Sequence, residues 1–260
     1  MTLELRSARS LAPGERAELF NAAYEGYLVP FHLDERQLAF MDDAFDLDLD
    51  ASRIAFRDGE PVGLGNLGVR GEDAWIGGVG VVPGARRSGV GEALMHGLHE
   101  QARERDVQRL WLEVIVENTG ALALYERLGY RTVRDVEVWS LPAVEATDSE
   151  PAPEVAAADA HVRIRELRSN REPWQRADRT LAHYEDVRGL VTDTGAMLFC
   201  VRSSAQLQQY AGDPEPLLRV LRTYKDVYVL NLPADDPAAA VFRELGGTVV
   251  VRQHEMLLEL

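Results

Sequence analysis

Cysteine occurs once in this chain of 260 residues, at Cys200. A single thiol builds no disulfide framework and no thiolate metal cluster. Lysine is as scarce: Lys225 is the only one, and arginine carries nearly all the positive charge. No stretch of about 18 uncharged apolar residues occurs, which excludes a membrane-spanning helix. Met1 to Ser10 alternates apolar and charged residues and lacks the apolar core of a secretory signal. Excess basic charge is missing too. The formal net charge is −15, against the basic footprint that general nucleic-acid binding requires. The expectation is a soluble cytoplasmic protein with no metal site, no membrane contact and no nucleic-acid partner.

What is present fits a chain that buries a core: 46% apolar residues and 7% aromatic ones. The acidic balance keeps the protein soluble and suits a cationic small substrate, whose local concentration an acidic cleft raises. The stretch 141–160, with three prolines, many alanines, several acids and no aromatic, reads as a linker. Three parts are therefore expected: a domain over 1–140, the linker over 141–160, and a smaller domain over 161–260.

The first part alternates strand and helix patterns. Strands are expected at Leu3–Ala8, Ser52–Arg57, Pro61–Arg70, Ala74–Val82, Arg109–Val116 and Arg131–Trp139. Helices are expected from Pro13 to Tyr24, Asp34 to Phe45, Gly89 to Arg105 and Asn118 to Leu128, the last ended by Gly129. The second part echoes the first twice and in the same order. Residues 173–184 share Pro, Arg, Ala, Ala and Tyr with residues 13–24 at one offset, and 231–247 echo 118–130. That order points to a duplication.

The most informative stretch is GGVGVVPGARRSGVGEALMHGLHEQA, 77–102. An apolar strand ends at Pro83, and Arg86-Arg87-Ser88-Gly89-Val90-Gly91 then opens a helix. Glycines at 89 and 91 let backbone approach a ligand, and free N–H groups at a helix start attract a phosphate-type anion. Arg86 and Arg87 add charge-assisted donors. From these residues alone, a tight strand-to-helix turn with two solvated arginines reads equally well.

Arg86-x-x-Gly89-x-Gly91 resembles the pyrophosphate loop of the GCN5-related N-acetyltransferases (GNAT), and LWLEVIVENTGALALYERLGYRTV, 110–133, looks like that family's last strand and helix. The resemblance covers most of residues 3–139 and, over the second stretch, is most similar to ribosomal-protein alanine acetyltransferases. It implies an α/β fold with a central mixed, mostly antiparallel sheet flanked by helices, and a second, smaller domain of the same kind. It implies acetyl-CoA as cosubstrate and direct transfer of acetyl to a primary amine within a ternary complex. Val79 and Val81 would pair through their backbones with the pantetheine arm, the amides of Arg86, Arg87, Ser88, Gly89, Val90 and Gly91 would hold the pyrophosphate, and Asn118 would fix the arm. Tyr125 would protonate the departing thiolate, and Glu113 would act through a water as general base.

These roles make chemical sense. An alkylammonium must lose a proton before it attacks a thioester, so a carboxylate in reach is useful. Glu113 sits in an apolar strand, where a charge needs either a function or a partner such as Arg109 or Arg131. Asp34, Glu35 and His32 are further candidates for the base. Tyr125 lies seven residues after Asn118, about two helical turns, so both can face one groove. The segment 24–34 is expected to wall the acceptor site through Tyr24, Tyr27, His32 and Asp34. The acids Asp42, Asp43, Asp46, Asp48 and Asp50 read as a solvated face.

After residue 160 no Arg-x-x-Gly-x-Gly occurs, and Phe242 stands where Tyr125 stands in the first copy. The second half is therefore expected not to bind CoA. Cys200, in an apolar run, is read as packed rather than nucleophilic. The rival of an enzyme is a CoA-binding regulatory or interaction module without turnover. The acceptor, a small-molecule amine or a peptide amino terminus, is not legible. Nor is the choice between a monomer, as a pseudo-dimer of domains, and a homodimer.

Overall fold

The structure, a computed structural model, describes residues 2–29, 32–145, 153–168 and 170–260. The chain folds as two units. The first is Met1–Val133 with Glu255–Leu260, and the second is Arg134–His254. Composition places the division in the proline-containing stretch, but the units part earlier, within strand β6 (Arg131–Leu141). The far end of that strand is ordered by pairing, from Val136↔Pro233 to Leu141↔Val227, with strand β11 (Val227–Pro233). Much of the alanine run read as linker is the start of helix α5 (Ala157–Leu167), since alanine is the strongest helix former. Of the expected linker, residues 146–152 lie outside the described residues, as do Pro30 and Phe31 of the expected acceptor segment.

In the first unit β1 (Leu3–Ser7), β2 (Arg53–Arg57), β3 (Glu60–Arg70) and β4 (Asp73–Val81) run antiparallel in that order. Strand β5 (Arg109–Ile115) joins β4 in parallel, and the closing residues of β12 (Thr248–Glu259) stand beside β5. Helix α1 (Pro13–Ala23) covers one face, with Phe20 and Ala23 packed near Ile54, Phe56 and Leu64. Helix α3 (Val90–Arg103) covers the other with Leu94, Met95 and Leu98. Gly65 makes room for that approach: a Cβ there would stand 2.8 Å from Leu98. Helices α2 (Glu35–Ala44) and α4 (Thr119–Arg127) complete the unit. Each element falls within two residues or so of its expected bounds.

Three of the five acids of the run are paired rather than solvated. Asp42 pairs with Arg16, both largely buried, while Asp46 bonds Arg70 at 2.7 Å and Asp48 bonds Arg105 at 2.5 Å. Asp43 and the outer pair of Asp50 with Arg9 lie open to solvent. The sequence hides this because the partner arginines are distant in the chain and meet the acids only after folding.

The second unit is built on the order β6-β11-β10-β9-β8-β7. Strands β10 (Ala205–Gly212) and β11 are parallel; β9 (Gly195–Val201), β8 (Arg188–Val191) and β7 (Glu154–Val155) follow antiparallel. The echo of α1 at 173–184 forms only a turn and the four-residue helix α6 (Asp178–Leu181). The later echo forms α8 (Pro237–Glu244) directly after β11, as α4 follows β5. Helix α7 (Pro214–Leu221) stands where α3 stands in the first unit. Cys200 is fully buried on β9, and burial pushes its thiol up to about 12. No helix among the described residues is long and apolar enough to cross a membrane.

Candidate active site

The site begins where β4 and β5 stop pairing. Their parallel register runs from Asp73↔Arg109 to Trp75↔Trp111 and ends there. Beyond it β4 kinks. Its register against β3 shifts between Gly65 and Leu67, and Gly78 takes φ +124, a conformation that L side chains rarely adopt. The strands part and leave the edge of β4 at Val79 and Val81 along a cleft of about 580 Å³.

Tyr24, just after α1, lies across that edge. A Cβ at Gly78 would stand 2.6 Å from its hydroxyl, and one at Gly80 would stand 3.1 Å from its ring. Phe20 stacks on Tyr24 at 4.5 Å and Tyr27 meets it edge-on at 5.1 Å, so the aromatic wall is fixed from behind. Burial, and after it the neighbouring Tyr27 and Tyr125, pushes the Tyr24 hydroxyl well up from its ordinary value.

The loop before α3 supplies the second wall. Arg87 at φ +59 and Gly89 at φ +83 are both left-handed, and Gly89 is the N-cap of α3. Such turns gather backbone N–H groups at a helix start into an anion-binding concavity. Arg86, Arg87, Gly89 and Gly91 border the cleft. The Arg86 guanidinium, however, is committed to backbone carbonyls. It donates to the carbonyls of Val81 at 3.0 Å, Ala23 at 3.1 Å and Glu25 at 2.7 Å. A cation is favoured there by the orphan carbonyls that end α1. Arg86 is a latch for the loop, and Arg87 and Arg127 are the other arginines that border the cleft. The Ser88 hydroxyl donates to Ala85 O at 2.6 Å and accepts from Arg57 at 2.7 Å, and the Val90 side chain is buried in the core. Neither side chain lines the cleft.

The third wall is the start of α4. Asn118 caps it, accepting from the Ala121 N–H at 3.3 Å, and borders the cleft. Tyr125, two turns on, reaches the same cleft with 8% of its surface exposed. Burial, then the neighbouring Tyr27, holds its hydroxyl well above the usual tyrosine range. It therefore stays protonated near neutrality, the form a general acid needs. Behind it stands Tyr130, ring centroids 5.9 Å apart, bonded to His99 at 3.0 Å. His99 is buried, and that burial, then Arg103 and His96, lowers it to about 4.

Three expected site residues lie elsewhere. Glu113 is not in the cleft wall; its carboxylate accepts from the Trp75 indole at 2.8 Å. The arginines expected beside it bond Asp73 and Glu259 instead. Asp34 is the N-cap of α2 in a reciprocal pair with Gln37, at 2.8 and 2.9 Å, and His32 is exposed nearby. Sequence reasoning passed over Glu117, an exposed carboxylate on the cleft wall beside Asn118. It also passed over Gly78 and Gly80, which let Tyr24 in, and Gly77, which makes room for Trp75, although three glycines in four strand residues were a readable signal.

Residues 17–130 match the model of the acetyltransferase (GNAT) family. The [ribosomal protein bS18]-alanine N-acetyltransferase of Escherichia coli is 41% identical over 59 residues, which is 23% of this chain and 40% of that protein. The streptothricin acetyltransferase of Streptomyces lavendulae is 44% identical over 50 residues, 19% of this chain and 26% of its own. These matches span less than half the length of either relative. Among solved structures, a GCN5-related N-acetyltransferase from Sphaerobacter thermophilus superposes with a TM-score of 0.72 at 18% identity, over 99% of this chain and 95% of its own. A tandem GNAT protein from the clavulanic acid biosynthesis pathway gives 0.67 at 17% identity, over 99% and 98%. The unit that carries the cleft is thus similar, through residues 17–130, to the acetyltransferase (GNAT) family.

Proposed function

We propose that the first unit transfers the acetyl group of acetyl-CoA to a primary amine by direct attack, both substrates being bound together. The observation that carries this reading is the convergence on one cleft of the open β4 edge, the left-handed loop before α3, Asn118 and Tyr125. The residues fit the cosubstrate. Val79 and Val81 offer strand-edge backbone to an amide-bearing arm, and the amides around Gly89 and Gly91 offer donors to a pyrophosphate, with Arg87 adjacent. Acetyl-CoA supplies the activated thioester. The chain's own contribution is a proton at each end of the reaction. The Tyr125 hydroxyl gives its proton to the departing sulfur, which avoids release of a free thiolate in a poorly solvated cleft. A carboxylate takes the proton that the ammonium must lose before its nitrogen attacks, and the second proton, lost from that nitrogen as the adduct collapses, restores the Tyr125 hydroxyl. Glu113, through a water, is our first candidate, and Glu117 on the cleft wall is the rival.

The second unit performs no such transfer in this reading. Where α3 opens on glycine, α7 opens on Asp213, Pro214 and Glu215, acids that repel a phosphate, and Phe242 replaces the tyrosine acid. The acceptor is taken to be an amine of small-molecule or peptide type, in line with the names of the relatives. The deciding experiment is a thiol-release assay with acetyl-CoA across amines and peptides, run on the chain and on Tyr125→Phe. Turnover should fall about 10²- to 10⁴-fold in the variant, with CoA affinity unchanged. Unchanged turnover removes the acid role. Binding of CoA without thiol release for any amine makes the chain a binding module. In the same assay Glu113→Gln and Glu117→Gln distinguish the two bases by which one flattens the acidic limb of the rate profile.

A further inference from the structure

The second unit also parts a parallel strand pair, and a different kind of cavity lies in the opening. Strands β10 and β11 pair from Ala205↔Val227 to Leu207↔Val229. Past that register, Tyr210, Ala211 and Pro233 border a cavity of about 150 Å³. The segment that follows α5 closes it with Arg168, Arg171, Glu172 and Arg176. None of these residues belongs to the acetyl-transfer cleft.

Arg176 has a side chain only 4% exposed. One Nη lies 3.2 Å from the Glu172 carboxylate and donates weakly to Asn231 O at 3.4 Å, yet its Nε has no hydrogen-bond partner. Arg168 is held by Asp178 at 3.0 Å and by Gln209, and its Nε also lacks an acceptor, with the nearest Glu172 oxygen 3.8 Å away. A buried N–H without an acceptor is costly, and two beside one cavity leave a requirement for oxygen. Burial outweighs the pull of Arg176 and Arg168 and raises Glu172 above the usual carboxylate range, so that side chain is a poor counter-ion for them.

The orphaned groups are donors, so the missing partner is an acceptor, and their guanidinium planes match a planar carboxylate. Charge limits it further. Glu172 and Asp236 also border the cavity, Asp236 being committed to the Tyr210 hydroxyl and to the Ala238 N–H at 2.9 Å. A dianion would meet both carboxylates, so a singly charged ligand is favoured. The size is that of a cavity able to admit benzene, and Leu167, Ala211 and Pro233 give it apolar walls. We propose that the second unit binds a small monocarboxylate, no larger than benzoate, with its oxygens on Arg176 and Arg168 and its apolar part against Leu167, Ala211 and Pro233.

The test is calorimetric titration of the full chain with acetate, benzoate and inorganic phosphate, with and without saturating CoA. The expected result is saturable binding of one monocarboxylate per chain that ignores CoA and weakens at least about tenfold, or 1.4 kcal/mol, in Arg168→Gln. Arg176→Gln removes a buried anchor and risks the fold, so Arg168→Gln, whose side chain is 19% exposed, is the primary variant. A shift of the Arg176 Nε–H resonance on titrating the unmodified chain gives a readout that needs no variant. Absence of saturable binding, binding equal in Arg168→Gln, tighter binding of phosphate than of either carboxylate, or displacement by CoA would each overturn the proposal.

Discussion

Tyr125 and His99 show how burial assigns chemistry to single residues of the first unit. Both are nearly enclosed, at 8% and 4% exposure, and burial favours the neutral form of each. For the tyrosine this keeps the proton that the proposed acid donates. For the histidine it has a consequence for stability. Its folded value is about 4 against 6.5 when unfolded. Below pH 6.5 the unfolded chain therefore takes up a proton that the folded chain refuses, and stability falls until about pH 4 and then levels. Between pH 7 and pH 5 the loss due to His99 should be about 2 kcal/mol. Urea titrations at both pH values should show that difference shrinking in His99→Gln; an unaltered difference would assign the slope to other groups. Arg86 makes the complementary point. Its motif position suggests a phosphate ligand, but its guanidinium spends its donors on three carbonyls. Arg86→Gln should loosen the loop, raising KM for acetyl-CoA about tenfold while leaving kcat nearly unchanged. A large fall in kcat with KM intact would show that the arginine acts on the reacting groups instead.

At the scale of elements, most strands and helices of the first unit were legible because their signals are local. Pro13 opens α1, Asp34 caps α2, glycine follows α4, and apolar periodicity marks each strand. What was illegible were the pairings between elements. The acids from Asp42 to Asp50 looked solvated because Arg16, Arg70 and Arg105 are remote in sequence. These pairs are unequal, and burial ranks them. Asp42→Asn leaves the buried Arg16 guanidinium without its counter-charge and should cost about 3–5 kcal/mol. Asp50→Asn breaks a pair with both side chains 61% exposed and should cost under about 1 kcal/mol. Urea midpoints of the two variants give the ranking directly, and the reverse order would refute it. The kink at Gly78 is likewise an element-scale feature. Its glycines were visible, but that they part β4 from β5 and admit Tyr24 depends on a register that only the sheet displays.

For the whole molecule, composition suggested a cut near residue 140, whereas the first unit also claims Glu255–Leu260. Met256 and Leu257 are buried in it at 1% and 6% exposure, and the Leu260 N–H bonds Gln108 O at 2.9 Å. A fragment ending at residue 145 should thus lack a strand beside β5, expose an apolar edge and lose its cooperative thermal transition. A fragment melting as sharply as the intact chain would show that the closing strand is dispensable. By itself the sequence determined the order and type of the first unit's elements, the glycine-containing turn before α3, the spacing of Asn118 and Tyr125, and the absence of both patterns after residue 160. Those follow from periodicity, caps and spacing, which act over a few residues. Only the tertiary structure decided that Arg86 is a latch and Glu113 a partner of Trp75, and that Asp42 of α2 is paired inward with Arg16. It alone gathered Arg168 and Arg176 around an unfilled demand for oxygen in the second unit, and placed the last strand with the first. Burial, charge pairing and strand register join residues far apart in the chain, so they exist only once it has folded.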